Sequence, residues 1–182
     1  MKLLVASDIH GSAKYCQMLL DAYKREAVDR MLLLGDVLYH GPRNDLPDGY
    51  APKEVIRMLN EYKNEIYCVR GNCEAEVDQM VLEFPVLADY ALIPIGEKMI
   101  YATHGHIFNK DNLPPMKSGD ILLHGHTHVT ACEDVNGIIY MNPGSVSIPK
   151  ENTKRGYIII NGNAFIWKTL GGEEYMSYTV GG

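Results

Sequence analysis

Residues 3–12 read Leu3-Leu4-Val5-Ala6-Ser7-Asp8-Ile9-His10-Gly11-Ser12, an apolar run that stops abruptly on polar side chains. A short run bounded in this way predicts a buried strand. Beyond Ser12 the apolar side chains fall at Tyr15, Met18, Leu19, Ala22 and Tyr23, the spacing of one helical face. The opening unit is therefore strand, loop, helix, and its loop carries Asp8 and His10. The unit then recurs. Residues 31–34 predict a second buried strand. After the loop 40–49 a helix follows, with Val55, Met58, Leu59 and Tyr62 on one face and Pro52 in its first turn. Residues 66–69 predict a third strand, followed by a helix from 74 to about 84.

From there the pattern changes. Residues 99–102, 121–123, 138–141, 157–160, 165–168 and 175–180 are strand candidates with little helix between them. Alternating strands and helices followed by successive strands predict an α/β protein of two packed sheets with helices outside, not an open parallel sheet. The chain shows no internal repeat, low-complexity tract or linker, and its 182 residues, 46% of them hydrophobic, are expected to form one domain over 1–182.

The formal charge of -6 argues against a surface that collects nucleic-acid backbones, so no extended nucleic acid is expected as a partner. Any chemistry on an anionic phosphate then needs local positive charge, most simply a bound metal. The cysteines Cys16, Cys68, Cys73 and Cys132 form no Cys-x-x-Cys pair and lack the density of a disulfide scaffold, which fits a reducing compartment. The N-terminal apolar run meets Ser7-Asp8 before it could serve as a signal core, and no stretch approaches the ~18 apolar residues of a membrane span. A soluble cytoplasmic protein is the expectation.

Five polar clusters each follow an apolar strand: Asp8-Ile9-His10, Gly35-Asp36, Gly71-Asn72-Cys73-Glu74, His104-Gly105-His106, and His124-Gly125-His126-Thr127-His128. In α/β proteins the carboxyl ends of neighbouring strands converge on one edge, so these side chains can meet there. Imidazole and carboxylate suit first-row divalent ions, and the absence of a thiolate cluster points to an open catalytic centre. If two metals sit about 3.5–4 Å apart, a carboxylate with two oxygens is the natural bridge, and Asp36 is the candidate. Singly, each fragment has an ordinary reading as a helix cap, a turn or one face of a strand. Five in order, each at a strand end, make coincidence the weaker reading.

In the pattern Asp-x-His, Gly-Asp, Gly-Asn, His and Gly-His-x-His, present in full order over residues 1–147, the sequence resembles the calcineurin-like metallophosphoesterase superfamily. Within it the chain is similar to the small bacterial YfcE-like phosphodiesterases, through its compact length, the Gly-Asn-Cys-Glu variant and Asn142-Pro143-Gly144-Ser145-Val146-Ser147. The resemblance implies a four-layer αββα sandwich, two mixed β-sheets flanked by helices. It implies one metal on Asp8, His10, Asp36 and His128 and another on Asp36, Asn72, His104 and His126, with Asp36 and a hydroxide bridging. Asp36 and Asn72 would then be the catalytic residues. The implied cofactors are two divalent ions, manganese first, with iron, zinc, nickel or cobalt as the others. The implied substrate is a small phosphodiester, with no membrane partner and a homodimer as the assembly. On an extended backbone, Thr127 between His126 and His128 would aim both imidazoles the same way, each toward its own metal.

Where relatives carry His after Gly-Asn, this chain has Cys73, open between a weak proton donor and a small packing residue. Arg43 and His40, in the loop after Asp36, are open between substrate contact and a solvated loop. His106 is open between orienting a ligand and ordinary hydrogen bonding. Strand alternation predicts that His124 points away from the metals. A phosphomonoesterase, or a non-catalytic scaffold resembling the retromer subunit of this fold, are the alternatives; intact ligand residues at all seven metal positions weigh against the scaffold.

Overall fold

The computed structural model describes residues 1–181. In chain order the elements are β1 (Lys2–Ala6), α1 (Ala13–Glu26), β2 (Arg30–Leu33), α2 (Pro52–Asn60), β3 (Ile66–Cys68), α3 (Glu76–Val81), β4 (Ala91–Ile95), β5 (Lys98–Ala102), β6 (Ile121–Leu123), β7 (Thr130–Val135), β8 (Ile138–Pro143), β9 (Gly156–Asn161), β10 (Ala164–Thr169) and β11 (Glu174–Thr179). They build a six-stranded sheet, β11-β10-β9-β1-β2-β3, and a five-stranded sheet, β4-β5-β6-β8-β7. Both are mixed. β1, β2 and β3 run parallel, as do β5, β6 and β8, and the flanking strands pair antiparallel.

β1 shows why the two sheets stack. Leu4 and Ala6 pack with Leu19, Val55 and Leu59 of the helices, while Leu3 and Val5 pack with Ile100, Ile121 and Leu123 of the second sheet. A strand buried on both faces must be apolar throughout, which is what residues 3–6 are. α1 begins where Ser12 caps it, its hydroxyl accepting from the Tyr15 N–H at 3.3 Å. α2 begins at Pro52, whose missing N–H costs nothing there.

The helical layers are unequal. α1 and α2 cover the outer face of the first sheet, whereas Tyr101, Leu122 and Ile138 on the outer face of the second are covered by Phe108, Leu113 and Met116 from an irregular segment. The helix expected over 74–84 is confined to Glu76–Val81 and buries none of its residues. Two strands escape the sequence reading. β4 contains Pro94 and β7 carries Glu133 and Asp134, and both lie at sheet edges, where a ladder hydrogen bond can be missing and charges stay solvated.

Candidate metal centre

The loops that leave β1, β2, β3, β5 and β6 meet at one end of the sandwich, and backbone hydrogen bonds hold them together. The N–H groups of Asp8, His10 and Gly11 donate to the carbonyls of Gly35, Asp36 and Val37 at 3.2, 2.9 and 2.8 Å. Gly125 N–H donates to His104 O at 2.9 Å, joining the loops after β6 and β5, and His126 N–H donates to Asp8 Oδ2 at 3.0 Å, tying the second sheet's loops to the first's. Asp8, His10, Asp36, His126 and His128 all have positive φ, between 49° and 64°. They are five of the nine non-glycine residues in that region. Strain concentrated on the residues that face one another marks a site the surrounding structure holds in place. It also revises one expectation: His126 and His128 are not on extended backbone, although each faces its own group of ligand atoms.

All seven residues expected at the site come together, in two groups. In one, His128 Nε2 lies 3.2 Å from Asp8 Oδ1, His10 Nε2 lies 3.5 Å from the same oxygen, and the two Nε2 atoms are 3.2 Å apart. In the other, His104 Nε2 lies 3.1 Å from Asn72 Oδ1 and 3.2 Å from His126 Nδ1. Asp36 joins them through a single atom, Oδ2, at 3.7 Å from His10 Nε2 and 3.5 Å from His104 Nε2. Its other oxygen is taken, since Oδ1 accepts the Cys73 N–H at 2.9 Å.

The donor set fits divalent cations. The Nδ1 atoms of His10, His104 and His128 contact the carbonyl oxygens of Tyr39, Leu34 and Ile148 at 2.7, 2.6 and 2.9 Å. A carbonyl can only accept, so each Nδ1 carries hydrogen and each Nε2 turns a lone pair into the centre. Two such lone pairs 3.2 Å apart, beside the buried Asp8 Oδ1 that accepts no hydrogen bond, call for positive charge between them. Without a cation, protons meet that need in part, and the same contacts shift the titration of the carboxylate and the imidazoles. Burial opposes ionisation of Asp8, but His10 and His128 outweigh it and hold the carboxyl well below its ordinary value. Burial would likewise depress His104, but contact with Asp36 and the charges of Asp8 and Asp36 raise it to about 9. His126, desolvated and beside His104, falls to about 4.

Two sets of supporting contacts could not be read from the motifs, although their residues lie within them. The buried Glu74 carboxylate accepts three N–H groups, from Asp36 at 2.9 Å, Val37 at 2.8 Å and Gly71 at 2.5 Å, and so clamps the loop after β2 to the loop after β3. Ser145 and Ser147 donate their hydroxyls to the Asp8 carbonyl at 2.8 and 3.0 Å. Gly35 and Gly71 explain the Gly-Asp and Gly-Asn pairs: a Cβ on Gly35 would run into the Gly71 backbone, so the loops can close only without side chains.

The open residues sort as follows. Cys73 faces the opening of the centre, and burial together with the neighbouring Asp36 and Glu74 carboxylates pushes its thiol up. Cys73 can also gather with His10 and Asp36 as ligand atoms within 4.8 Å of one another. His124 stacks on Tyr140 at 4.6 Å, and burial lowers it to about 4, so it supports its loop as a neutral ring. His106 stands at the rim, 5.4 Å from His104 and 6.3 Å from His126 between ring centres. His40 packs edge-on against Tyr39 and Tyr50. Arg43 and Lys150 line the cleft above the centre, a space of about 360 Å³.

Comparison with known proteins is consistent with this geometry. Residues 1–164 match the calcineurin-like phosphoesterase superfamily domain. Phosphodiesterase YfcE of Escherichia coli strain K12 is 45% identical over 157 residues, covering 86% of this chain and 85% of that protein. The solved structure of Yfce, described as a phosphoesterase from E. coli, superposes with a TM-score of 0.95 at 40% identity, covering 100% of both chains. Vacuolar Protein Sorting 29 from Cryptosporidium parvum superposes with a TM-score of 0.60 at 19% identity over 98% of this chain and 97% of its own, a likeness of fold alone.

Proposed function

The chain belongs to the calcineurin-like phosphoesterase superfamily, and from that premise we propose that it hydrolyses small phosphodiesters at a dinuclear metal centre. Membership makes it a metallophosphoesterase, a hydrolase that uses divalent metal. The dinuclear reading is carried by one observation: two clusters of ligand atoms share a single carboxylate oxygen, Asp36 Oδ2. In this reading Asp8, His10, Asp36 and His128 hold one ion, and Asp36, Asn72, His104 and His126 hold the other, with manganese as the first candidate. When bound, the ions supply Lewis acidity toward the phosphoryl oxygens and lower the pKa of an attacking water.

The chain's own residues do the rest. The carbonyls of Tyr39, Leu34 and Ile148 fix the rotation of three imidazoles, and the Cys73 N–H fixes the rotation of Asp36, so the donors are organised before substrate arrives. The Cys73 thiol holds its proton tightly, because burial and the Asp36 carboxylate both disfavour the thiolate. It is a reluctant acid where an imidazole would be a good one. A leaving group must then depart on its own acidity, which favours diesters of acidic alcohols and phenols over alkyl diesters and over monoesters. No helix among the described residues is long and apolar enough to cross a membrane. The four unpaired cysteines support a cytoplasmic placement.

The test is to strip metal by chelation, restore each candidate ion, and assay matched 4-nitrophenyl monoester and methyl 4-nitrophenyl diester substrates. Metal-dependent turnover with the diester preferred is the expected result. Turnover of the monoester alone would replace this reading with a phosphomonoesterase, and turnover of neither would remove the enzymatic reading.

A further inference from the structure

The cleft over the centre is larger than a phosphoryl group requires. Its volume of about 360 Å³ falls within the range of pockets that enclose whole small molecules, and besides Asp36, Asn72, His126 and His128 it is lined by two cations, Arg43 and Lys150. Both are exposed in a chain of net charge -6. Neither is occupied by a carboxylate among the described residues, where the ion pairs engage Lys2, Lys14, Arg57, Lys63, Lys110 and Lys168.

The backbone that carries each cation is tied to the loops of the centre. The Lys150 N–H donates to the carbonyl of His128 at 3.0 Å, and its own carbonyl accepts from the Thr153 N–H at 3.0 Å and hydroxyl at 2.8 Å. The backbone that carries the lysine is thus fastened to that of a proposed ligand. Arg43 lies in a loop that Asn44 closes by donating to His40 O at 2.8 Å, and a Cβ on Gly41 would lie 3.5 Å from Cys73 Sγ, so this loop rests on the Gly-Asn-Cys turn.

The charges decide what these residues are for. On the proposed function, on which this inference rests, two divalent ions, the Asp8 and Asp36 carboxylates, a hydroxide nucleophile and a monoanionic diester sum to zero. The reacting phosphate therefore needs no further cation. Two cations left over at the same cleft match a second anion on the same substrate, and a planar guanidinium and an ammonium lining one cleft suit a phosphate, which offers several acceptor oxygens at once. We propose that Arg43 and Lys150 form a subsite for a second phosphate, so that the substrate class is a small phosphodiester bearing a separate phosphate group.

The experiment compares three esters with the same 4-nitrophenyl leaving group on the metal-restored enzyme: propyl, 2-carboxyethyl and 2-phosphonoethyl 4-nitrophenyl phosphate. The 2-phosphonoethyl ester is expected to have a kcat/KM at least about tenfold above the propyl ester, mostly through KM, with the carboxylate between them. In Arg43→Ala, Lys150→Ala and the double variant, that ratio falls toward one. Calorimetric binding of 1,3-propanediyl bisphosphonate, against propylphosphonate, gives a readout without turnover, and the double variant is expected to lose the preference for the former. A wild-type ratio near one overturns the subsite, as does an equal proportional loss on all three esters in the variants, which would place the cations on the reacting phosphate. Failure to cleave even the propyl ester would instead contradict the proposed function.

Discussion

Replacing Glu74 should cost more than replacing any other residue outside the seven proposed ligands at the centre. Its two oxygens accept three backbone N–H groups: Oε1 takes Val37, and Oε2 takes Asp36 and Gly71. In Glu74→Gln the amide oxygen can keep the pair at Oε2, but the NH2 group then faces the Val37 N–H, donor against donor. One lost bond to a charged acceptor, with one buried donor unsatisfied, predicts a loss of about 2–3 kcal/mol. Glu74→Ala strands all three donors, and about 3–5 kcal/mol is expected after allowing for entry of water. Urea unfolding of the metal-free protein measures both, with the midpoint shifting at constant slope. The charge has a pH signature. Burial and the adjacent Asp36 raise the Glu74 pKa in the folded protein. The folded state thus holds the proton to higher pH than the unfolded chain, and stability falls as pH rises from the ordinary carboxyl value through the raised one. Glu74→Gln should lack that contribution. A Gln variant within about 0.5 kcal/mol of the parent, where ordinary surface substitutions fall, would refute the clamp.

Three further outcomes follow from the same geometry. Ser12→Ala removes the cap of α1 and a hydroxyl that donates to Asp48 O at 2.6 Å, and should lower stability by about 1–2 kcal/mol in thermal or urea unfolding. Glu26 joins α1 to β10 by accepting from Lys168 Nζ at 2.9 and 3.0 Å and from Tyr157 OH at 2.9 Å; these partners outweigh its burial and lower its pKa. Its contribution is present above the ordinary carboxyl value and lost as pH falls through the lowered one, so Glu26→Gln should flatten the acid limb of a stability profile below about pH 4.5. In a leaving-group series at fixed metal and pH, the parent enzyme should slow steeply as leaving-group pKa rises. Cys73→His should flatten that dependence, and a parent rate independent of leaving group, with chemistry limiting, would show that another residue donates the proton.

The strands that place the centre were legible because β1, β2 and β6 are buried on both faces and so are written as unbroken apolar runs ending on polar residues. β4 and β7 were not, since an edge strand can carry a proline or solvated carboxylates and lose the signal. The seven residues that meet at the strand ends were singled out through their order along the chain, but the geometry of their meeting was not. An alternating His-x-His suggests extended backbone, whereas His126 and His128 adopt left-handed conformations that only the packed loops can impose. A bridging carboxylate suggests two oxygens shared between metals, whereas one is committed to the Cys73 N–H. Glu74 sat in view within the Gly-Asn-Cys-Glu cluster, but its partners lie across the site from its own loop and no local spacing announces them.

The most direct measurement is anomalous scattering from crystals of the protein restored with manganese, for the parent and for His128→Ala, His126→Ala and Asp36→Asn. Two peaks about 3.5–4 Å apart are predicted in the parent. His128→Ala should empty the peak beside Asp8 and His10, His126→Ala the peak beside Asn72 and His104, and Asp36→Asn should weaken both and abolish hydrolysis. A single peak in the parent, loss of the same peak in both histidine variants, or full occupancy with near-normal turnover in Asp36→Asn would contradict a dinuclear centre bridged by Asp36.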